Sequence, residues 1–121
     1  MEENEMVLRT KNFAYNCLDI SEYIHPTYLG NHVRGQLVRS ATSGASNYRA
    51  ARLSQSKAAF VSKLSISIEE IDESVFWMQV IIDKSLIKEQ KRIDSVLVHI
   101  AEGKELTSIL IKTRLTVSYM Y

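Results

Sequence analysis

The strongest constraint on the fold is an apolar repeat in the middle of the chain. Large apolar side chains recur there at steps of four and three residues, at Phe60, Leu64, Ile68, Ile71, Val75, Met78 and Ile82. Side chains three and four positions apart share one face of an α-helix, whereas a half-buried strand needs alternation in steps of two. The repeat therefore predicts a long amphipathic helix with one buried side.

Three other segments have the same helical period, and short connections separate all four. The predicted helices cover residues 5–24, 31–50, 55–83 and 88–118. Long helices joined by short connections pack as antiparallel neighbours around one core. One proline and four glycines are too few for the turns of a β-rich domain of this size. We therefore predict one all-α domain over residues 1–121, an antiparallel up-down-up-down four-helix bundle.

Several residues mark the predicted helix ends. Pro26 ends the first helix, because the residue before a proline is disfavoured in helical geometry. Asn31 is the predicted cap of the second helix, and Ser54 or Ser56 that of the third. Gly103 falls inside the fourth helix and costs about 1 kcal/mol relative to alanine. The predicted core residues of the first, second and fourth helices lie on the apolar faces: Met6, Phe13, Cys17, Ile20, Ile24, Val33, Leu37, Ala41, Gly44, Tyr48, Ile93, Leu97, Ile100, Leu110 and Val117.

The second helix contains seven small side chains in a row, from Ser40 to Ser46. Serine and threonine are poor helix formers, so the benefit of this run must come from packing. Small side chains allow a neighbouring backbone to approach closely. Leu37 and Tyr48 flank the run in the same helical phase, which favours a continuous helix with a close-contact face. The alternative is a loop that splits this helix in two.

The charges are segregated, although the net charge is only +1. Residues 23–68 contain no Asp or Glu, and residues 69–83 contain no Lys or Arg. Arg34 and Arg52 are eighteen residues apart, five helical turns, so they point the same way on an unbroken helix. Basic side chains in such a row could follow a phosphate backbone. The candidate nucleic-acid-binding residues are Arg34, Arg49, Arg52 and Lys57. The alternative is a solvated face with intersubunit salt bridges.

The acidic residues of the third helix are candidates for ion pairing. Arginine can hold a carboxylate with two hydrogen bonds, and Arg39 with Glu70 and Glu73 is the predicted pairing. A buried pair of this kind fixes register more than it adds stability. A metal site is the alternative, but di-metal bundles use Glu-x-x-His motifs, and residues 69–73 include no histidine. We predict no metal and no cofactor.

No motif in the sequence points to an enzyme. Cys17 lies in an apolar stripe, whereas a nucleophile needs exposure and a nearby base. There is no phosphate-binding glycine loop, zinc spacing or catalytic-triad pattern. A lone cysteine excludes an internal disulfide and indicates a reducing compartment. The acidic start has no signal-peptide pattern, and no apolar stretch is long enough to span a membrane. We expect a cytoplasmic, non-enzymatic protein.

Residues 36–81, "QLVRSATSGASNYRAARLSQSKAAFVSKLSISIEEIDESVFWMQVI", closely resemble the central signature of the 23S rRNA intervening-sequence protein family. The signature combines many fixed spacings, which makes it specific. The segment "KNFAYNC", residues 11–17, resembles the start of the family's first helix only loosely. The residues that carry the resemblance are Gln36, Leu37, Arg39, Ser40, Ser43, Asn47, Ala51, Ser56, Lys57, Phe60, Lys63, Leu64, Glu70, Glu73 and Trp77.

The resemblance implies a left-handed antiparallel four-helix bundle that assembles into a homopentameric ring. It also implies a relation to the accessory protein of diversity-generating retroelements, which binds nucleic acid and a reverse transcriptase. The expected partners are therefore further copies of the chain, RNA or DNA, and a protein such as a reverse transcriptase. Ile66, Val80 and Trp77, with the small-residue face of the second helix, are the predicted intersubunit surface. Many relatives have a more basic surface, so the alternative is a protein-interaction scaffold whose charges serve self-assembly only.

Overall fold

The computed structural model describes residues 2–120, with side chains from 5 to 119. Over this range the chain forms four α-helices and no β-strand: α1 Glu2–Ser21, α2 Tyr28–Arg52, α3 Lys57–Asp83 and α4 Gln90–Met120. Each helix packs on the next along the chain, and α1 also contacts α4, less extensively. This confirms the all-α, four-helix part of the prediction. Residues 1 and 121 of the predicted domain lie outside the described residues.

The observed helix ends differ from the predicted ones by a few residues. At the start of α2 the reason is a different capping residue. The side chain of Thr27 accepts a hydrogen bond from the Gly30 amide at 3.0 Å, so α2 begins at Tyr28. Asn31, the predicted cap, therefore lies within the first turn. Ser56 caps α3, as predicted, and accepts from the Ala59 amide at 3.1 Å. α1 ends at Ser21, well before Pro26.

The helix α2 is continuous through its small residues, and the loop alternative is wrong. The Ser67 hydroxyl donates to the Gly44 carbonyl at 2.7 Å, and the hydroxyls of Ser40 and Ser74 are 2.8 Å apart. A Cβ atom on Gly44 would lie 2.8 Å from Cγ1 of Ile71. The buried part of the close-contact face therefore packs against α3 of the same chain. The prediction that this part forms an intersubunit surface is wrong, because α3 already covers it.

The core follows the predicted stripes in the first three helices and departs from them in α4. Leu97, a predicted core residue, is 50% exposed, and Val96 is fully buried instead. Gly103 is buried where α4 crosses α1 and α3, since a Cβ atom there would lie 2.5 Å from Val75 and 3.0 Å from Phe13. The buried apolar residues include Phe13, Cys17, Ile20, Ile24, Val33, Leu37, Ala41, Tyr48, Leu64, Ile68, Ile71, Val75, Met78, Ile81, Val96, Ile100, Leu106 and Leu110.

The outer surface carries many large apolar side chains. They include Leu8, Tyr15, Ile66, Phe76, Leu97, Val98, Ile111 and Leu115, all of them exposed. In the part of the chain that the structure describes, no helix is both long and apolar enough to cross a lipid bilayer.

Candidate nucleic-acid interface

Two of the predicted phosphate-binding residues meet at the connection between α2 and α3. Arg52, the last residue of α2, and Lys57, the first of α3, line one surface cavity of about 470 Å³. Both side chains are exposed. Lys57 Nζ donates to the backbone carbonyl of Ser118 at 3.4 Å, which places the C-terminal part of α4 beside the cavity. The rest of the lining combines hydroxyl, amide and apolar groups, from Ser54, Gln55, Ser56, Phe60 and Val117.

Further basic residues occupy this end of the bundle, and the sequence analysis did not select them. Arg114 donates to the Ser65 hydroxyl at 3.2 Å, so the last turns of α4 lie along the first turns of α3. Lys63 and Lys112 are exposed nearby in the same two segments. Residues 106–121 contain no Asp or Glu, as is also true of residues 23–68. Comparing the two acid-free segments would have revealed this cluster.

Arg34 does not join these residues. Its Nε donates to the Ser21 carbonyl at 3.0 Å, its Nη2 donates to the Ile24 carbonyl, and its Nη1 donates to the Asn31 side chain at 2.5 Å. The guanidinium therefore binds the last carbonyl of α1 and a carbonyl in the turn that follows, which ties α2 to the end of α1. Arg34 is therefore engaged within its own chain, near the N-terminal end of α2, and its contact with phosphate stays a prediction.

Arg49 faces a different surface, the α1–α2 groove. This groove has a volume of about 230 Å³, and small side chains form much of its lining. Two basic residues border it, Arg49 from α2 and Lys11 from α1, and both are exposed. Lys11 Nζ lies 5.7 Å from the centre of the Tyr15 ring. The remaining lining residues are Val7, Ala14, Thr42, Ala45 and Ser46.

Arg39 bridges α2 and α3, where the structure places it against both predicted acidic partners. Its Nη1 is 3.1 Å from Oε2 of Glu70, and its Nη2 contacts Oε2 of Glu73. Its Nε donates to the Gln36 side chain at 3.1 Å. The Arg39 side chain is 47% exposed, so solvent screens these pairs and their contribution to stability is modest. The contact lies within one chain, which orients α2 against α3.

The carboxylate of Glu73 also anchors Trp77. Trp77 Nε1 donates to Glu73 Oε2 at 2.9 Å, and this bond, together with Arg39, lowers the pKa of Glu73 against the opposing effect of burial. The Trp77 ring packs edge-on against Phe76 at 5.0 Å and against His32 at 5.6 Å. Trp77 is therefore held within its own chain, and Phe76 beside it is the more exposed ring, at 53%.

A second inter-helix ion pair joins α1 to α4. Arg9 donates to both carboxylate oxygens of Glu102, at 2.7 and 2.8 Å, and its Nη2 lies 3.0 Å from Glu105. Hydrogen bonding to Glu102 is the main reason that the pKa of Arg9 is raised. Sequence reasoning missed this pair because its members are 93 residues apart, with no spacing that links them.

Cys17 and the acidic residues are the remaining candidates for chemistry. Cys17 is fully buried, and burial raises the pKa of its thiol to about 12, so the reactive thiolate is suppressed. Among the described residues, no three His, Cys, Asp or Glu side chains are grouped closely enough to hold a metal ion. The chain has one Glu-x-x-His spacing, Glu22 with His25, and it falls after α1 has ended at Ser21.

Comparison with known proteins supports the fold. No protein-family model matches this chain, and no curated protein matches it in sequence. The chain is similar to a crystal structure from Bacteroides thetaiotaomicron, a protein of unknown function from the S23 ribosomal protein family. The two share 24% sequence identity with a TM-score of 0.76, over 94% of this chain and 98% of the other. The comparisons lend no support to the predicted link with diversity-generating retroelements, and the similarity establishes the four-helix fold alone.

Proposed function

We propose that this protein is a non-enzymatic, self-associating helical bundle that binds the phosphate backbone of RNA or DNA at one basic end. The observation that carries the proposal is the cavity shared by Arg52 and Lys57. Lys63 in α3 and Lys112 and Arg114 in α4 add positive charge in the turns that follow or precede this end of the bundle. Phosphate contacts of this kind supply affinity without base specificity, which suits an accessory factor of a ribonucleoprotein.

The shape of the bundle concentrates this charge. Contacting residues of α2 and α3 run in opposite numerical order, Ser40 with Ser74 and then Gly44 with Ser67. The same holds for α3 and α4, from Lys57 with Ser118 to Ser65 with Arg114. We infer an antiparallel up-down-up-down arrangement. In that arrangement the α2–α3 connection, which belongs to the acid-free residues 23–68, lies beside the acid-free residues 106–121 and at the same end as the start of α1.

Self-association is part of the same proposal. Exposed apolar side chains on α3, such as Ile66 and Phe76, are surfaces that an oligomer would cover. A ring would also bring several basic ends together and strengthen their joint attraction for a polyanion. The homopentamer, the reverse transcriptase partner and the cytoplasmic location stay predictions.

The protein-interaction scaffold is a second candidate, and the contacts of two arginines favour it. Arg34 caps the end of α1, and Arg39 pairs with Glu70 and Glu73, so both charges serve the architecture of the chain itself. Replacing Arg52 and Lys57 separates the two candidates, because only the nucleic-acid proposal expects these substitutions to weaken RNA or DNA binding.

A titration of fluorescent single-stranded RNA and duplex DNA, read by anisotropy at several salt concentrations, tests the proposal. Binding should weaken steeply with salt, and Arg52→Gln with Lys57→Gln should lower affinity at least about tenfold and reduce the salt slope by roughly 1.5 to 2. Lys91→Gln is the matched control, because Lys91 is an exposed cation in the first turn of α4, away from the cavity. Absence of binding at low salt, or an equal loss in the control, would refute the proposal and leave the scaffold.

A further inference from the structure

We propose that copies of this chain assemble head to tail, with the α3 ridge of one copy seated in the α1–α2 groove of the next. The α3 ridge is the exposed face formed by Ile66, Glu69, Asp72 and Phe76. This inference rests on the self-association proposed above and identifies the two surfaces that meet.

The ridge presents an aromatic side chain with two carboxylates in the preceding turns of α3. Phe76 is 53% exposed, and Glu69 and Asp72 are exposed on the same side of α3. The Phe76 ring rests edge-on against Trp77, which is itself hydrogen-bonded to Glu73. Because Arg39 also holds Glu73, this chain of contacts restrains the Phe76 ring before any partner arrives. An exposed aromatic held in place loses little conformational entropy on binding, as is typical of interface anchors.

The groove has the complementary properties. Its floor includes Ala14, Thr42 and Ala45, whose short side chains leave a recess of about 230 Å³ between α1 and α2. A cavity of about 150 Å³ is enough to hold a benzene ring. Lys11 and Arg49 stand at its border, opposite in sign to Glu69 and Asp72. The Phe76 ring, with Glu69 and Asp72 in the preceding turns, therefore fits this groove in size and in charge.

The location of the two surfaces determines the kind of assembly. The groove lies between α1 and α2, whereas the ridge is on α3, so one contact between two copies leaves one groove and one ridge unfilled. Repeating such a heterologous contact adds one copy after another. The copies form a closed ring if the rotation from one copy to the next returns to the first, and an open filament if it does not. The exposed line on α4 that includes Leu97 and Ile111 takes no part in this contact.

The experiment uses two complementary variants whose masses are measured by size-exclusion chromatography with light scattering. The groove variant carries Lys11→Glu and Arg49→Glu, and the ridge variant carries Phe76→Asp. Each keeps one functional surface, so each alone should be a monomer, and an equimolar mixture should form a dimer with one copy of each. Circular dichroism checks that both variants are folded. A second ridge variant, Glu69→Lys with Asp72→Lys, replaces Phe76→Asp if that protein is unfolded.

The control is Leu97→Asp, an exposed apolar residue outside both surfaces, which should assemble as the wild type does. Assembly of either variant alone, a mixture that stays monomeric, or dissociation of the Leu97→Asp control would overturn the choice of surfaces. A monomeric wild type would overturn self-association itself. The ridge variant retains Arg52 and Lys57, so its RNA binding tests the nucleic-acid proposal independently of assembly.

Discussion

The substitution Gly103→Ala is the sharpest test of how α4 meets its neighbours. A Cβ atom at this position would lie 2.5 Å from Cγ2 of Val75 and 3.0 and 3.1 Å from two ring atoms of Phe13. Carbon atoms pack best at about 3.5–4.0 Å, so Val75 or the α4 backbone must move by roughly 1 Å. Val75 is buried and its β-branched side chain has few rotamers, so we expect the movement to be costly. Overpacking of this kind costs about 1–3 kcal/mol.

The helix itself works in the opposite direction, because alanine is favoured over glycine by about 1 kcal/mol in a helix interior. Gly35→Ala provides the matched control: Gly35 is exposed within α2, and a Cβ atom there would have no neighbour within 4 Å. The control should gain about 1 kcal/mol. The difference in the free energy of unfolding between the two variants therefore isolates the packing cost, about 1–3 kcal/mol. Each kcal/mol corresponds to a shift of about 4 °C in Tm.

Urea unfolding followed by circular dichroism at one fixed protein concentration measures both free energies of unfolding, since self-association would make stability depend on concentration. We expect the order Gly35→Ala, wild type, Gly103→Ala from most to least stable. If Gly103→Ala is stabilised as much as Gly35→Ala, the close approach of α4 to α1 and α3 is refuted.

Three further predictions concern single sites. Ser85 has φ of 53°, a left-handed conformation that costs a non-glycine residue about 1–2 kcal/mol, so Ser85→Gly should raise the free energy of unfolding by about 0.5–1 kcal/mol; a decrease would contradict this. The pKa of Glu73 is lowered, so its contribution to stability is present above its unfolded pKa and is lost as pH falls through the folded value. Trp77→Phe should raise that pKa in an NMR titration, and an unchanged pKa would refute the role of the indole bond. Cys17 should resist a thiol reagent at pH 8 in the folded protein and react once urea is added, whereas rapid labelling without urea would contradict its burial.

The sequence predicted the helices well because their buried faces repeat locally. In α3, Leu64, Ile68 and Ile71 are buried where the spacing puts them. The pattern failed in α4, because Gly103 is a contact residue with no side chain to mark it. The predicted stripe therefore passes through Leu97, whereas the buried residue is Val96.

The candidate site was harder to predict because its side chains are placed by contacts between distant segments. Arg39 contacts Glu70 and Glu73 as predicted, because the pairing follows from two facing helices of opposite charge. Arg34 had the right helical phase for a phosphate track, but its position also depends on how the turn after α1 folds back, which no spacing reveals. Arg52 and Lys57 share a cavity because the α2–α3 connection is short, and shortness was visible in the sequence.

The hydroxyl contacts between α2 and α3 have a consequence for the dynamics of the bundle. Ser67 reaches the carbonyl of Gly44, and Ser40 reaches Ser74, so these two helices are joined by polar bonds inside a closely packed interface. Separating them would break these inter-helix hydrogen bonds as well as exposing apolar surface. Amide protons at the centre of this pair should therefore exchange with deuterium most slowly, through global unfolding alone, while the less closely packed α1–α4 side opens first.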